Sequence, residues 1–334
     1  MKISFKIIKT GSGNDTYFTT LGEGLKRSGI SVAYYYYPKI CQYFPIIMLL
    51  LNRKTDGDII HSNIEYAWAV KENGKPLVST AHHLVFDKEF QKYTSVWQKI
   101  SHYLVLLPST YLSINASEKI IAVSKYTRDE IYRVFKNASN VEVIYNGIDL
   151  AIFKPLRINK YNTDGRHHLI FVGNLISRKG ADLLPKIMKG LGDSYVLHYT
   201  SGLRSTPPRG FDLPNMIPLG KLTTAQLAKE YNKCDALLFP TRLEGFGYAV
   251  AEAIACGIPV IASNNSSITE IVTPENNGIL CKTNQVKLFI VSIVKLLGKG
   301  ACGGNNLDFL RTSKKDKSTM NAIHNYELIY KQYV

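Results

Sequence analysis

The sequence predicts an α/β protein built from two doubly wound domains, each a parallel sheet covered by helices. Three observations carry this expectation. The 334 residues exceed one ordinary domain, and division by about 150 residues per domain gives two. Short apolar runs rich in β-branched residues alternate with segments of helical spacing through both halves of the chain. Between the two series, residues 154–165 are polar and carry one proline and one glycine, which suits a linker.

In the first series, residues 2–9 alternate charged and apolar side chains and predict a strand, residues 10–15 a turn, residues 16–28 a helix ending at Gly29, and residues 30–37 a second strand. Further strands are expected at 58–62, 76–81, 119–124 and 141–145. The second series places strands at 168–173, 194–199, 235–240 and 258–262. Residues 298–306 are glycine-rich and predict a loop, and residues 317–334 predict a helix with Ile323, Tyr326, Ile329 and Tyr330 on one face. The expected divisions are a first domain 1–155, a second 156–316 and a terminal helix 317–334. In open parallel sheets ligands bind beyond the carboxyl ends of the strands, so two such domains facing each other would place their sites on opposite walls of a cleft.

Composition narrows the function classes. An apolar fraction of 45% and a charged fraction of 20% suit a soluble globular chain and argue against a disordered or fibrous one. The alternating start lacks the apolar core of a secretion signal, so a cytoplasmic protein is expected. The most apolar run, residues 40–51, holds 12 residues and contains Pro45, whereas a membrane-spanning helix needs roughly 20. Five scattered cysteines without a C-x-x-C pair predict reduced structural thiols and no metal site. The net charge of +15 divides into +6 for residues 1–155 and +9 for the rest, without a dense arginine cluster, so no nucleic-acid arm is indicated.

Several local features admit a structural reading beside a functional one. Asp56-Gly57-Asp58 precedes a strand and reads as turn acids rather than a metal-binding pair. The aromatic run 34–37 reads as strand packing, although such rings also stack on sugars. Apolar stretches at 40–53 and 97–112 read as core or acceptor-cleft packing, with contact to a membrane as the alternative.

The chemistry concentrates in residues 241–263, where Glu244 and Glu252 lie eight positions apart around a glycine-rich turn. A strand ending at Phe239 and Pro240, a loop 241–245 and a helix starting near Phe246 would aim backbone N–H groups at an anion. Gly245 and Gly247 allow close approach to that backbone. Glu252, a turn or more into the helix, could accept hydrogen bonds from ribose hydroxyls, and Glu244 from a second set. A nucleoside diphosphate carrying a sugar has hydroxyls at both ends and phosphates between. The plainer alternative is a helix-start acid and a solvated face.

This segment closely resembles the E-G-F-G-x-x-x-x-E-A-x-A-x-G-x-P-V-I signature of family 4 retaining glycosyltransferases. Residues 171–180 resemble the family's donor phosphate loop, and residues 144–149 with Phe153 and Pro155 its interdomain N-G-I-D-x-x-x-F-x-P segment. Residues 80–82 and 121–128 also fit, as does the terminal helix, which in the family crosses back to the first domain. The resemblance implies a GT-B architecture of two Rossmann-like domains and transfer of a hexose from a nucleotide sugar with retention. It implies no required metal and no cofactor beyond the donor, of UDP-glucose or GDP-mannose type.

Carried over by position, Glu252 would bind the donor ribose and Glu244 the transferred sugar. The Phe246 and Gly247 amides, with Gly245 and Tyr248 beside them, would meet the distal phosphate. Lys179 matches the phosphate-binding lysine, whose charge would neutralise the departing diphosphate. Leu219, Gly220 and Lys221 match the segment that meets the nucleobase. Gly11, Ser12 and Gly13 match a loop approaching the diphosphate from the other domain, and His82 a histidine near the sugar or acceptor. His82 and His83 are adjacent, so in an extended segment they face opposite ways. Lys179, Glu244 and His82 are thus the expected catalytic residues.

Two departures bear on the donor. The phosphate loop's first basic position is held by Asn174, for which Arg178 is the candidate substitute. Serines replace the usual glycine pair before Glu270. The expected acceptor is a glycan, lipid-linked or other hydroxyl, with peripheral association at the inner membrane face. Alternatives are a sugar-nucleotide epimerase of the same fold and a non-catalytic basic binding protein for nucleic acid or anionic membrane.

Overall fold

The computed structural model describes residues 1–9, 13–161, 164–201, 207–274, 276–298 and 318–334. Gly11, Ser12, Cys302 and all of the glycine-rich stretch beyond Gly298 therefore lie outside the described residues. The chain divides into two compact units, Met1–Gly147 with Thr319–Val334, and Ile148–Ser318. Residues 148–155, assigned from sequence to the first domain, fall in the second unit. There the Phe153 ring meets Tyr231 edge-on with centroids 6.2 Å apart, and the Lys154 carbonyl accepts from Asn232 Nδ2 at 3.0 Å.

The first unit carries β1 (Lys2–Ile8), α1 (Gly13–Arg27), β2 (Ser31–Tyr37), α2 (Pro45–Leu50), β3 (Ile59–Asn63) and β4 (Leu77–Ala81). It continues through α3 (Lys88–Gln91), α4 (Val96–Ser101), a π-helical turn His102–Leu106, α5 (Leu107–Ala116), β5 (Lys119–Ala122), α6 (Lys125–Val134) and β6 (Val141–Val143). The strands pair in parallel in the order β2-β1-β3-β4-β5-β6. Successive strand residues face opposite sides of a sheet. Ile3, Phe5 and Ile7 accordingly join one core with Ile59 and Val78, while Ile8, Ile60 and Leu77 join another.

The first core lies under α1 and the terminal helix α11 (Thr319–Lys331), whose Ile323, Tyr326, Ile329 and Tyr330 are all buried. Tyr330 Oη meets His61 Nδ1 at 2.6 Å, and His61 Nε2 meets Thr80 Oγ1 at 2.7 Å, which ties that helix to β3 and β4. Burial drives the His61 pKa down to about 3, so the ring is neutral. On the opposite face, α2 and the 3-10 turn Ala67–Val70 supply Met48, Ala67 and Val70 to the core containing Leu77. Asp58 accepts from the Lys2 N–H at 2.7 Å and Asp56 pairs with the Lys2 amine, so both acids hold the start of β1.

The second unit carries β7 (His167–Phe171), α7 (Leu184–Leu191), β8 (Tyr195–Thr200), β9 (Met216–Gly220), α8 (Thr224–Lys233) and β10 (Ala236–Phe239). Then come α9 (Tyr248–Cys256), β11 (Val260–Ser263), β12 (Gly278–Cys281) and α10 (Val286–Leu297). Its sheet is again parallel, ordered β12-β11-β10-β7-β8-β9. Residues of both parities in β7, β8, β10 and β11 are buried, as expected of strands covered on both faces. The edge strands β9 and β12 are additions to the four strands read from sequence. β9 contains Pro218 and is mostly exposed, a composition tolerated at a sheet edge and unlike a central strand. Cys41, Cys234, Cys256 and Cys281 are buried free thiols. Among the described residues, no helix is long and apolar enough to cross a membrane.

Candidate active site

In the second unit the chain runs from β7 outward to β8 and β9, then returns to place β10 on the other side of β7. The loops leaving the carboxyl ends of β7 and β10 therefore diverge at a topological switch point, where doubly wound sheets open a ligand crevice. These are the loops that hold Lys179 and Glu244. They are laid against each other by backbone: the Arg242 N–H donates to the Arg178 carbonyl at 2.9 Å. Gly180 has φ +74°, and a Cβ there would lie 2.0 Å from the Pro240 carbonyl oxygen, so only glycine permits this approach.

Arg242 locks the two loops further. Its guanidinium donates to both Asp182 carboxylate oxygens, at 2.6 and 2.8 Å, and to Asn284 Oδ1 at 2.6 Å. Arg178 donates from Nη1 to the Leu243 carbonyl at 3.0 Å, which gives it a bracing part beside the one expected from the exchange at Asn174. Asn174 directly follows Gly173, which has φ +154° and whose N–H donates to Thr200 Oγ1 at 3.1 Å.

At the centre, Lys179 Nζ donates to both oxygens of Glu244, at 2.5 and 2.7 Å. Thr241 Oγ1 donates to Glu244 Oε1 at 2.9 Å, and the ammonium lies 5.7 Å from the centre of the Phe239 ring. Burial lowers the Lys179 pKa, with the Glu244 carboxylate working against that shift. The backbone of Glu244 is clamped by the two serines that replace glycines. Its N–H donates to Ser266 Oγ at 3.0 Å, and its carbonyl accepts from Ser267 Oγ at 3.0 Å. An ammonium has three N–H donors, so Lys179 can hold both carboxylate oxygens and still offer one to an anion.

Glu252 lies on α9, half-buried, and its Oε2 accepts from the fully buried Tyr231 hydroxyl of α8 at 2.9 Å. Burial pushes its pKa up to about 7, against the pull of that hydrogen bond. Buried alanines 249, 251, 253 and 255 let α9 pack closely. The helix starts at Tyr248 behind Gly247, which has φ +93° and no side chain to cap the first turn. A Cβ at Gly247 would come 2.7 Å from Ile268 Cδ1. Phe246 is buried and meets Tyr248 edge-on at 5.3 Å, while Gly245 is half-buried. Leu219, Gly220 and Lys221 fall at the carboxyl end of the edge strand β9, two strands from β7.

In the first unit, Gly13 opens α1. His82 follows β4 and packs edge-on against Tyr17 at 4.5 Å, whereas His83 lies against Phe90 at 5.3 Å, so the two point apart. Burial lowers the His82 pKa to about 4, and its Nε2 is buried with no hydrogen-bond partner among the described residues. Among the described residues, three further oxygens without a partner lie at the same carboxyl edge: Asn63 Oδ1 at the end of β3, Glu65 Oε2 just beyond it, and Asn146 Oδ1 beyond β6. Asn63 and Asn146 are 6% and 4% exposed, and burial raises the Glu65 pKa to about 7. Buried polar atoms are almost always paired, so such a cluster at a strand terminus suits ligand hydroxyls. The sequence offered one signal for it, an acid and two amides at or within three residues of strand ends.

Residues 23–152 match the family model described as Glycosyltransferase Family 4, and residues 166–299 that described as Glycosyl transferases group 1. The chain belongs to glycosyltransferase family 4. An uncharacterised glycosyltransferase of Methanocaldococcus jannaschii is 30% identical over 219 residues, covering 63% of this chain and 60% of the relative. The chain spans between 48% and 60% of the length of the first curated relatives it matches. Sucrose-phosphate synthase from Thermosynechococcus elongatus superposes with a TM-score of 0.81 at 18% identity over 98% of each chain. Anabaena HepE in complex with UDP-glucose gives 0.77 at 16% identity over 99% of this chain and 100% of its own. These likenesses establish the family 4 chain as a GT-B fold of two Rossmann-like units.

Proposed function

We propose that this glycosyltransferase moves a hexose, with retention and without a required metal, from a nucleoside diphosphate sugar to a hydroxyl acceptor. The observation that carries the proposal is the bidentate Lys179–Glu244 pair at the switch point of the second unit. It sets a cation for the diphosphate beside an anion for the sugar hydroxyls. In this reading Lys179 gives its third N–H to the phosphate that departs, and its charge offsets the negative charge growing there. Glu244 accepts from the hexose hydroxyls, the N-terminus of α9 at Gly247 faces the distal phosphate, and Glu252 accepts from the ribose. Leu219–Lys221 lies where a nucleobase would extend along the strand ends.

The acceptor hydroxyl falls to the orphaned atoms of the first unit, Asn63, Glu65 and His82. His82, neutral across the physiological range, can take or give a hydrogen bond without bringing a charge. UDP-hexose is the favoured donor, supported by the UDP-glucose complex of HepE. The acceptor class is a glycan or lipid-linked hydroxyl.

The test is release of nucleoside diphosphate from UDP-glucose and GDP-mannose. Lys179→Ala and Glu252→Ala should each reduce it at least tenfold, taking about 1.4 kcal/mol per factor of ten. Full activity in both variants would remove the site assignment.

A further inference from the structure

We propose that Asn265, Ser266 and Ser267 are positioning residues that fix the aim of the Glu244 carboxylate and thereby set which hexose the second unit accepts. The inference rests on the reading of Glu244 as the group that meets the sugar hydroxyls. The three residues follow β11 and reach the loop that leaves β10, the neighbouring strand. Their side chains hold the backbone of that loop at both ends. Asn265 Nδ2 donates to the Thr241 carbonyl at 2.9 Å. Ser266 Oγ accepts from the Glu244 N–H, and Ser267 Oγ donates to the Glu244 carbonyl, each at 3.0 Å. Thr241 in turn donates from Oγ1 to Glu244 Oε1, so the same clamp governs the loop backbone and the carboxylate it carries.

Proton directions in the clamp follow from the donor inventory. A backbone N–H can only donate, so Ser266 Oγ accepts from Glu244 and gives its own proton to Asn265 Oδ1 at 3.0 Å. That leaves Asn265 Nδ2 to bridge the Thr241 carbonyl and Thr283 Oγ1, at 2.9 and 3.0 Å, which ties the clamp to the segment after β12. Ser266 makes its contact from a left-handed backbone, φ +45°, which glycine adopts freely and serine only at a cost. Such strain persists where surrounding contacts over-determine it, and here they converge on one acid. A carboxylate on a loop held in this way keeps its oxygens at fixed points. Glu244 is 6% exposed, so an epimer that turns a hydroxyl away leaves its remaining lone pairs unpaired out of reach of water. Rigidity of the loop thereby becomes discrimination between sugars.

The experiment is calorimetric titration of UDP, UDP-glucose and UDP-galactose, and in parallel GDP, GDP-mannose and GDP-glucose, into the full chain and its Ser266→Gly, Ser266→Ala and Ser267→Ala variants. In the wild type one nucleotide hexose should bind more tightly than its epimer and than the bare diphosphate. Each variant should bring the ratio between epimers about fivefold closer to one, the worth of one hydrogen bond, while the bare diphosphate binds as before. Ser266→Gly should melt above Ser266→Ala, because glycine carries the positive φ without strain, yet the two should lose discrimination alike, because both lack the hydroxyl. Serines that merely stabilise the fold would make affinity follow melting temperature and would weaken the bare diphosphate too. That result, or an epimer ratio unchanged in all three variants, would overturn the proposal and leave the transferase reading in place. A wild type that binds neither series, or binds a bare diphosphate as tightly as its hexose conjugates, would remove the reading of Glu244 and the role of the clamp with it.

Discussion

The carboxyl edges of the two sheets differ in how their polar groups are satisfied. In the second unit Lys179 and Glu244 complete each other, Thr241 adds a third hydrogen bond, and Tyr231 holds Glu252. Among the described residues, Asn63, Glu65, His82 and Asn146 of the first unit each leave a buried atom unmatched, against Ser263, at the carboxyl end of β11, in the second. Under the proposed function, the second unit's edge is organised before its ligand arrives, and the first unit's hydrogen bonding is finished by the ligand. Preorganised charge is the effective arrangement where negative charge develops, and unfilled acceptors are the effective arrangement for choosing among hydroxyl ligands.

The sharpest way to break this comparison is Lys179→Ala. It should lower donor turnover roughly 100-fold or more and lower stability by about 3 kcal/mol, because Glu244 is left buried without its cation. Turnover assay and denaturant titration check the two effects, and Lys179→Arg should recover much of the stability. Glu65→Gln should come next, lowering transfer to an added acceptor about tenfold while nucleotide affinity stays the same. If nucleotide affinity fell with it, the two edges would not divide the labour.

How far the sequence carried these assignments depends on the range of the interactions. Strands β1 to β8, β10 and β11 follow from short-range apolar patterning, and the buried face of α11 from the spacing of Ile323, Tyr326, Ile329 and Tyr330. β9 was hidden by Pro218 and its exposure, and β12 by Gly278 at its start. Motif positions singled out Lys179, Glu244 and Glu252, but the pairing of Lys179 with Glu244 across 65 residues, and of Glu252 with Tyr231 across 21, are products of strand order. Arg242, which braces the donor loops through Asp182 and Asn284, belongs to no motif and could be read only from the fold. Trp97 and Leu104, read as core or acceptor-cleft packing with membrane contact as the alternative, are exposed, because apolar patterning does not say which side of a helix the fold covers.

A smaller effect sharpens the comparison through pH. Glu252 and Glu65 both have folded pKa values raised to about 7, above the usual carboxylate value, so each binds more protons when folded. Their stabilising contribution is full below the unfolded pKa and declines as pH rises through about 7. Glu252→Gln and Glu65→Gln should therefore each raise the melting temperature at pH 8 relative to wild type, with little gain at pH 4. Nucleotide affinity of the wild type should fall as pH drops below about 7, because the ribose hydroxyls need the ionised Glu252 as acceptor; titration across pH 5.5 to 8 reads this at roughly the scale of one pKa unit per 1.4 kcal/mol. The smallest effect is expected for Ser267→Ala, which removes one hydrogen bond to the Glu244 carbonyl and should cost about 1 kcal/mol in stability, measured by denaturant midpoint.

The most direct measurement is calorimetric titration of UDP into the wild type, Glu252→Ala and Glu65→Gln proteins at pH 7.5. Binding to the wild type, weakened at least tenfold in Glu252→Ala and unchanged in Glu65→Gln, is the predicted result. Equal affinity in all three, or loss confined to the Glu65 variant, would contradict a nucleotide held at the switch point between β7 and β10.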